Sequence, residues 1–597
     1  MRNPETILDN LKSHSTTPDY QYKRLYRNLY NPTFYILAYQ QTYPKPGNMT
    51  PGMDGKTFDD MNMKRINKII SSLKDHSYQP KPARRTYIPK KTGKLRPLGV
   101  PSGDDKLVQQ VMKTMLENIY EDTFTDTSHG FRPNRSCHTA LSQVKINFSG
   151  IKWFIEGDIK EFFGNVNHHL LTNILRRRIK DEYFISLIWK FLRAGYMENG
   201  VLHKNDKGLH QGSLISPILA NIYLNEFDSF MDIYKHTFDA GSKRNRSKEY
   251  NHIQNKEQRL RKTIADTPKG TAKRLDDFKT LKNLRLKRTA IPCSDPMDTS
   301  FRRIVYQRYA DDFILGIIGS KNDALKAKSD IKNFLSETLQ LELSEEKTLI
   351  THGKSKAEFL GYHITIGRKG TPSKDKSGKL SSRHNGAVKL YVPHEAWFKK
   401  LIQTGSLKTK NTAKQGETWI PTARSSLIYL PSHVIVRKYN WEISGLYQYY
   451  KIADNASVLN KFYYVMKFSM VKTLAGKHRS SSNKIMRKHY INKRFQVVYQ
   501  LKGINKTIYF YDYGFKKQPI IKSKFVNHQP FELSMRFNKH LCEWCGIEHP
   551  DTTVHQVRKL SELSGVTKWE QKMIDMNRKT LILCTNCHTK LHNGTLS

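Results

Sequence analysis

The sequence predicts a multidomain α+β chain, and three observations carry that reading. In FRRIVYQRYADDFILGIIG, apolar, β-branched and aromatic runs flank Asp311 and Asp312, which reads as an antiparallel hairpin turning at the acidic pair. Helical spacing dominates much of the rest, with a further strand end at Asp158 in WFIEGDIKEFF. Near the C-terminus, Cys542, Cys545, Cys584 and Cys587 form two CxxC pairs, the spacing of a small zinc-bound module. At 597 residues the chain is longer than one hydrophobic core usually serves.

Charge narrows the partners. Lys and Arg number 101 against 53 acidic residues, a net +48 spread over the whole length. Such an excess calls for a polyanion, and nucleic acid fits, because its phosphates release counterions when cations neutralise them. No apolar run approaches the roughly 20 residues of a spanning helix, so no membrane partner is expected. Aromatics make up 11% of residues, and Tyr alternates with Lys and Arg, which solubility alone does not require. The start, MRNPETILDNLK, lacks the apolar core of a secretory signal. Cys137 and Cys293 stand apart from the CxxC pairs, a pattern for a reducing compartment.

Taken in order, residues 1–85 read as mostly helical, interrupted by PKPGNMTPGMDG. RTYIPKKTGKLRPLGVPS gives strand, turn and strand, an exposed basic hairpin or one closing on a triphosphate through Lys90, Lys91 and Arg96. A helix from Lys106 to about Phe124 follows, and SHGFRPNRSCHTAL leads into another. KGLHQGSLISPILANIYLNEF places Gln211 and Gly212 at a helix entry, where amide and backbone groups could meet a base pair. Residues 235–300 are basic and poor in large apolar residues, an inserted helical or partly disordered arm. Beyond the acidic hairpin come a helix from Asn322 to about Leu339, then LELSEEKTLITH, where Lys347 follows an expected strand, then the strand AEFLGYHITIG. Residues 367–388 read as a linker or turn excursion. Helices rich in Tyr and Lys resume over 389–495, a composition suited to single-stranded or irregular RNA, although part of any Tyr stripe is core. Residues 496–540 are basic and weakly patterned.

Three carboxylates at strand ends, Asp158, Asp311 and Asp312, can hold two Mg²⁺ ions, and a metal pair serves nucleotidyl transfer. Lys347 is a candidate proton donor to a leaving phosphate. The four CxxC cysteines are expected to hold structural Zn²⁺. His588 and His592, four apart on one helical face, could join His555 in a second divalent-ion site.

RPLGVP, SHGFRPNRSCHTAL, WFIEGDIKEFF, HQGSLISPILANIYL, RYADDFILG, LSEEKTLITH, FLGYHI and the terminal CxxC modules, in that order, closely resemble a group II intron-encoded protein. That family joins reverse transcriptase, maturase and HNH endonuclease in one chain. The resemblance implies a right-hand polymerase with an N-terminal extension and the start of the fingers over 1–85 and fingers and palm over 86–367, built on an antiparallel sheet. It further implies a helical thumb or maturase X domain over 385–495, a DNA-binding region over 496–540 and a ββα HNH module over 541–597. By motif, Asp158, Asp311 and Asp312 correspond to the Mg²⁺ ligands and Phe163 to the gate against a ribose 2′-OH. Arg96 and Gln211 fall on the triphosphate and nascent-pair contacts, Lys347 on the proton donor, and Phe359, Leu360, Gly361 and Tyr362 on the primer grip. The implied partners are the intron RNA, a DNA target, dNTPs and a second copy of the chain. The implied setting is the bacterial cytoplasm as a nucleoid-associated ribonucleoprotein, or an organellar matrix. The alternative function is a splicing cofactor acting by RNA binding alone.

One departure stands out. In TVHQVRKL, His555 falls on a metal-ligand position, but Gln556 occupies the place of the general base. An amide has no lone pair basic enough to take a proton from water near neutral pH, so weak DNA cleavage is expected.

Overall fold

The computed structural model describes residues 2–596 except 46, 90–92, 94, 296–297, 368–372, 375–379, 382–385, 413–415, 502 and 520–531. Lys90 and Lys91 therefore lie outside the described residues, as does much of the expected linker over 367–388.

The strands around the acidic hairpin form a four-stranded antiparallel sheet in the order Arg303–Tyr309, Asp312–Ile318, Trp153–Asp158, Leu349–His352. Both faces are covered, which explains why its strands read as continuous apolar runs. Ile155, Phe313, Leu315 and Ile317 face a core shared with the helices Ser216–Phe238 and Lys321–Glu337. Phe154 and Ile314 face a second core, shared with Cys137–Asn147 and with helices of the 385–495 region. Burying each such side chain contributes about 1.5–3 kcal/mol.

The expected basic hairpin, Ala83–Pro89 against Leu95–Val100, is present and is widened by Tyr196–Glu198 and Val201–His203. The N-terminal helices begin on side-chain caps, Asn31 ahead of Pro32–Thr42, Asn62 ahead of Met63–Lys74 and Ser102 ahead of Gly103–Tyr120. Within 235–300 the structure has two antiparallel helices, Lys248–Asp266 and Ala272–Ala290, and the helix from Ser216 runs on to Phe238 before the insertion starts.

Several local expectations change. AEFLGYHITIG is not one strand but a hairpin, Ala357–Phe359 against Tyr362–Gly367, because Leu360 (φ 49°) and Gly361 (φ 67°) both take the left-handed conformation of a two-residue turn. Lys347 does not follow a strand. Only an isolated bridge at Leu343 precedes it, and it sits in a turn ahead of Leu349–His352. The 385–495 region adds a β-hairpin, Leu407–Thr412 with Gly416–Pro421, to its helices. Arg494–Leu501 pairs with Ile504–Tyr509 in the stretch read as weakly patterned. Of the thumb tyrosines, Tyr439, Tyr447 and Tyr450 are core, whereas Tyr464 and Tyr490, with Trp441, are exposed.

The C-terminal module is a ββα unit, Thr552–Gln556, Thr580–Cys584 and Thr585–His592. Leu581 and Leu583 pack on its own cysteine-containing core, while Val554 and Ile582 belong to the large N-terminal core. Met61–Asn62 adds an edge strand to the module's sheet, pairing with Thr553 and Val554. The module is thus docked on the N-terminal region by backbone and apolar contacts together.

Candidate active site

The palm hairpin turns at Ala310 and Asp311, and its register sets Asp312 directly opposite Asp158. The turn is held from below. Ala310 has φ 56°, and its carbonyl accepts from Arg308 Nη1 at 3.0 Å. Arg308 and Asp228 are fully buried and joined at both guanidinium edges, with Nε donating to Oδ1 at 2.8 Å. Tyr306 donates to the same Oδ1 at 2.8 Å, and Arg308 Nη2 reaches Ser128 Oγ at 2.7 Å. Segment SHGFRPN lies against this turn, where a Cβ on Gly130 would stand 2.3 Å from the Ala310 nitrogen. Only glycine permits that approach. Buried His129 ties the segment to helix and sheet, through Thr139 Oγ1 at 2.9 Å and Gln307 Oε1 at 3.0 Å. Burial brings its imidazole down to about 4, so it is neutral.

The carboxylates repel one another. Asp312 is exposed along the cleft, yet the atoms crowding it from other sides make its charged form costly. Burial first, then the charges of Asp311 and Asp158, push it up to about 7. Asp311 is raised by burial and by Asp158, against the pull of Lys347 and Arg96. Lys347 Nζ donates to Asp158 Oδ2 at 2.8 Å, and this bond raises its own pKa. The three carboxylates adjoin without converging on a single point: the two groups of four ligand atoms within 4.8 Å among the described residues lie elsewhere.

Because Asp312 binds its proton more tightly folded than unfolded, its stabilising contribution is complete below about pH 4 and is lost as pH rises through about 7. Thermal unfolding without Mg²⁺ should therefore show a midpoint that falls across this window. Asp312→Asn should flatten the fall, and an unchanged slope would contradict the crowding.

Around the carboxylates, Phe163 packs edge-on to Phe131 with ring centres 6.2 Å apart. Leu209 donates its backbone N–H to the Phe163 carbonyl at 2.5 Å, so the loop before Gln211 holds this aromatic in place. Gly212 (φ 113°) lies so near Gly99 that a Cβ would be 2.4 Å from its carbonyl oxygen. The Gln211 carbonyl accepts from Gly99 N–H at 2.7 Å, while its buried side-chain Oε1 has no partner. Arg96 is exposed and near enough to Asp311 to stabilise its charge. Phe359, Leu360, Gly361 and Tyr362 form the hairpin turn clasped by the end of the helix Ser432–Tyr450: Tyr449 OH donates to the Leu360 carbonyl at 2.7 Å and Tyr450 OH to that of Gly361 at 3.0 Å.

In the C-terminal module the four cysteine sulfurs lie within 4.8 Å of one another. Burial opposes ionisation of Cys542, but N–H groups of Cys545, Cys584 and Trp544 outweigh it and bring the thiol down to about 7. That donor set fits tetrahedral Zn²⁺. His555, His588 and His592 also come together, joined by Asp59 from the N-terminal region.

Known families match these regions. Reverse transcriptase (RNA-dependent DNA polymerase) matches residues 88–238 and 286–364, type II intron maturase 385–535, and AI2M/AI1M-like HNH endonuclease 542–588. The group II intron-encoded protein LtrA of Lactococcus lactis subsp. cremoris is 38% identical over 601 residues, covering 98% of this chain and 99% of LtrA. This chain belongs to the group II intron-encoded proteins. An intron 1 protein of COX1/OXI3 in Saccharomyces cerevisiae is 35% identical, covering 94% of this chain and 68% of that one. Protein YkfC of Escherichia coli is 34% identical, covering 59% and 85%. This group II intron-encoded protein is an RNA-directed DNA polymerase and an intron maturase in one chain. Among its described residues no helix is long and apolar enough to cross a membrane.

Two features of this intron-encoded protein were not foreseen in its sequence. The Arg308–Asp228 pair joins residues 80 apart, and each side chain alone reads as ordinary surface charge. Asp59 sits in a Thr-Phe-Asp-Asp turn 496 to 533 residues before the histidines it meets. No local spacing signals either contact.

Proposed function

We propose that Asp158, Asp311 and Asp312 are the carboxylate ligands of a two-Mg²⁺ polymerase centre, within which this protein copies its intron RNA at a DNA target. The observation that carries the reading is the Asp158–Asp312 register, which sets two carboxylates face to face beside a third. Bound there, a metal pair would polarise the primer hydroxyl and neutralise charge on the leaving pyrophosphate. Lys347, poised on Asp158 and kept protonated by it, supplies a proton to the leaving group. Phe163 screens the sugar, Gln211 and Gly212 line the nascent pair, and Arg96 meets the triphosphate, with Lys90 assigned the same role from its place in the basic hairpin of the sequence. The turn Phe359–Tyr362, anchored by Tyr449 and Tyr450, holds the primer end. Fingers and palm occupy 86–367, the thumb 385–495, the DNA-binding region 496–540 and the nuclease-like module 541–597.

Primer extension on an RNA template with Asp311→Ala as control tests this assignment. The same variant should still promote splicing, because maturation needs RNA binding and not the metal centre; loss of both activities would show that the roles are not separable. RNA affinity should fall steeply between low and physiological salt, since each phosphate contact releases counterions, and a flat dependence would contradict the broad basic surface.

The HNH module binds DNA and cuts it weakly in this reading. Gln556 is buried, with Oε1 accepting from Tyr39 OH at 2.8 Å and Nε2 donating to the Tyr43 carbonyl at 3.1 Å. A residue so engaged works as a tie to the fingers. Gln556→His should raise nicking of a DNA target several-fold; robust nicking by the unaltered protein would remove the idea.

A further inference from the structure

We propose that the hairpin of Arg494–Leu501 with Ile504–Tyr509 is a strand-separating pin, whose apolar tip enters the base stack of duplex DNA and opens it where the intron RNA is copied. This deepens the reading of residues 496–540 as the DNA-binding region and rests on it.

The hairpin is anchored at one end and free at the other. Phe495 and Val497 are buried in the second core. Phe510 donates its N–H to the Phe495 carbonyl at 2.8 Å. Asn440, on the helix Ser432–Tyr450, donates to the Tyr509 carbonyl at 2.7 Å and accepts from Tyr511 N–H at 2.8 Å. His433 of the same helix stacks on Tyr499, with ring centres 4.0 Å apart and planes 9° from parallel. Past Tyr499 burial stops. Gln500 and Leu501 on one strand, and Ile504, Asn505, Lys506 and Thr507 on the other, are all exposed. Successive residues of a strand point to opposite faces, so this half of the hairpin meets solvent on both. It projects roughly 13 Å beyond the Val497–Ile508 pair, four residues at about 3.3 Å each.

The tip is apolar. Leu501 and Ile504 form the last pair of the ladder, with Gly503 (φ 76°) in the turn between them, and are 47% and 63% exposed. A solvated hairpin end ordinarily carries polar residues, because apolar side chains gain nothing there. The surroundings say what these two meet. From Asn455 to Tyr511 the chain has 12 Lys and Arg and no Asp or Glu. The helix Ser482–His489, packed against the hairpin, carries Lys484, Arg487 and Lys488, and Lys506 lies on the projecting strand. An apolar protein partner gains little from so many cations, whereas a polyanion with apolar base faces inside its phosphate shell satisfies both. Duplex DNA fits better than unpaired RNA. Splayed bases are caught on flat aromatic rings, but branched aliphatic side chains act as wedges between stacked base pairs.

Such a wedge unstacks a base step, and the neighbouring cations hold the phosphates of the parted strands. Copying RNA at a duplex target needs that opening, because a primer strand must leave its partner before it can pair with RNA.

The full-length protein loaded with its intron RNA tests this, mixed with a duplex that spans the insertion site and carries 2-aminopurine across it. Fluorescence of that base rises when it unstacks. Leu501→Ser with Ile504→Ser should reduce opening by about 10-fold or more, while Leu501→Met with Ile504→Val, which keeps the tip apolar, should open the duplex as the parent does. A duplex that already carries a mismatched bubble at this place should bind the parent and the serine variant alike. Unfolding midpoints should agree between them, since both side chains are exposed. Equal opening by the serine variant would overturn the pin and leave the DNA-binding region standing. A loss of intron-RNA affinity in that variant would give the hairpin to RNA and overturn the pin as well. Failure of the unaltered protein to bind the duplex would remove both the DNA-binding region and the pin.

Discussion

Asp311→Ala should lower primer extension on an RNA template by about 10³-fold or more. A metal pair contributes several kcal/mol of charge stabilisation in the transition state, and each 1.4 kcal/mol is a factor of ten. Asp311 holds the tip of the palm hairpin, between the Asp158 carboxylate and the cationic Arg96 and Lys347. Removing it takes a ligand from the centre and also a negative charge from a crowded cluster. The variant should therefore be inactive yet no less heat-stable without Mg²⁺, since the lost repulsion favours folding. Activity within tenfold of the parent, or an unfolded protein, would each contradict the assignment.

The largest loss of stability should come from Asp228→Ala. It leaves the Arg308 guanidinium buried without its counter-charge, a change that costs about 3–5 kcal/mol. The double change Asp228→Leu with Arg308→Met should recover most of that stability, because an apolar pair of similar volume carries no desolvation penalty. It should not recover polymerase activity. Arg308 also holds the Ala310 carbonyl at the left-handed turn, and without that bond the two aspartates after it lose their placement. Denaturant midpoints and primer extension measured on all three proteins check both parts. Equal stability of Asp228→Ala and the parent would mean that the pair contributes nothing, and an active double variant would mean that the turn needs no support.

What the sequence made legible follows from the range of the forces involved. The acidic hairpin, the strand ending at Asp158 and the CxxC module each announce themselves through alternation or spacing within a few residues, and each stands where it was expected. Leu360-Gly361 was missed as a turn because a leucine rarely accepts positive φ, and here two thumb tyrosines hold it there. The pairing of Arg494–Leu501 with Ile504–Tyr509 was missed because its exposed positions mix apolar Val498, Leu501, Ile504 and Tyr509 with polar and basic residues, which leaves no clean alternation. Long-range polar contacts were not legible at all. Arg308 with Asp228, Tyr39 with Gln556 and Asp59 with three histidines are chosen by the tertiary fold, and composition cannot rank one such pairing over the many others available. Gln556 shows the limit from the other side: its type predicted a missing base, but the two tyrosines that bind it came only from the structure.

The most direct measurement is a structure of this protein with primer, RNA template and incoming dNTP in Mn²⁺, with anomalous scattering to locate the ions. The account predicts two ions about 3.5–4 Å apart, held among Asp158, Asp311 and Asp312, with Lys347 released from Asp158 toward the leaving phosphate. Ions bound away from these carboxylates at a concentration that supports DNA synthesis would contradict it.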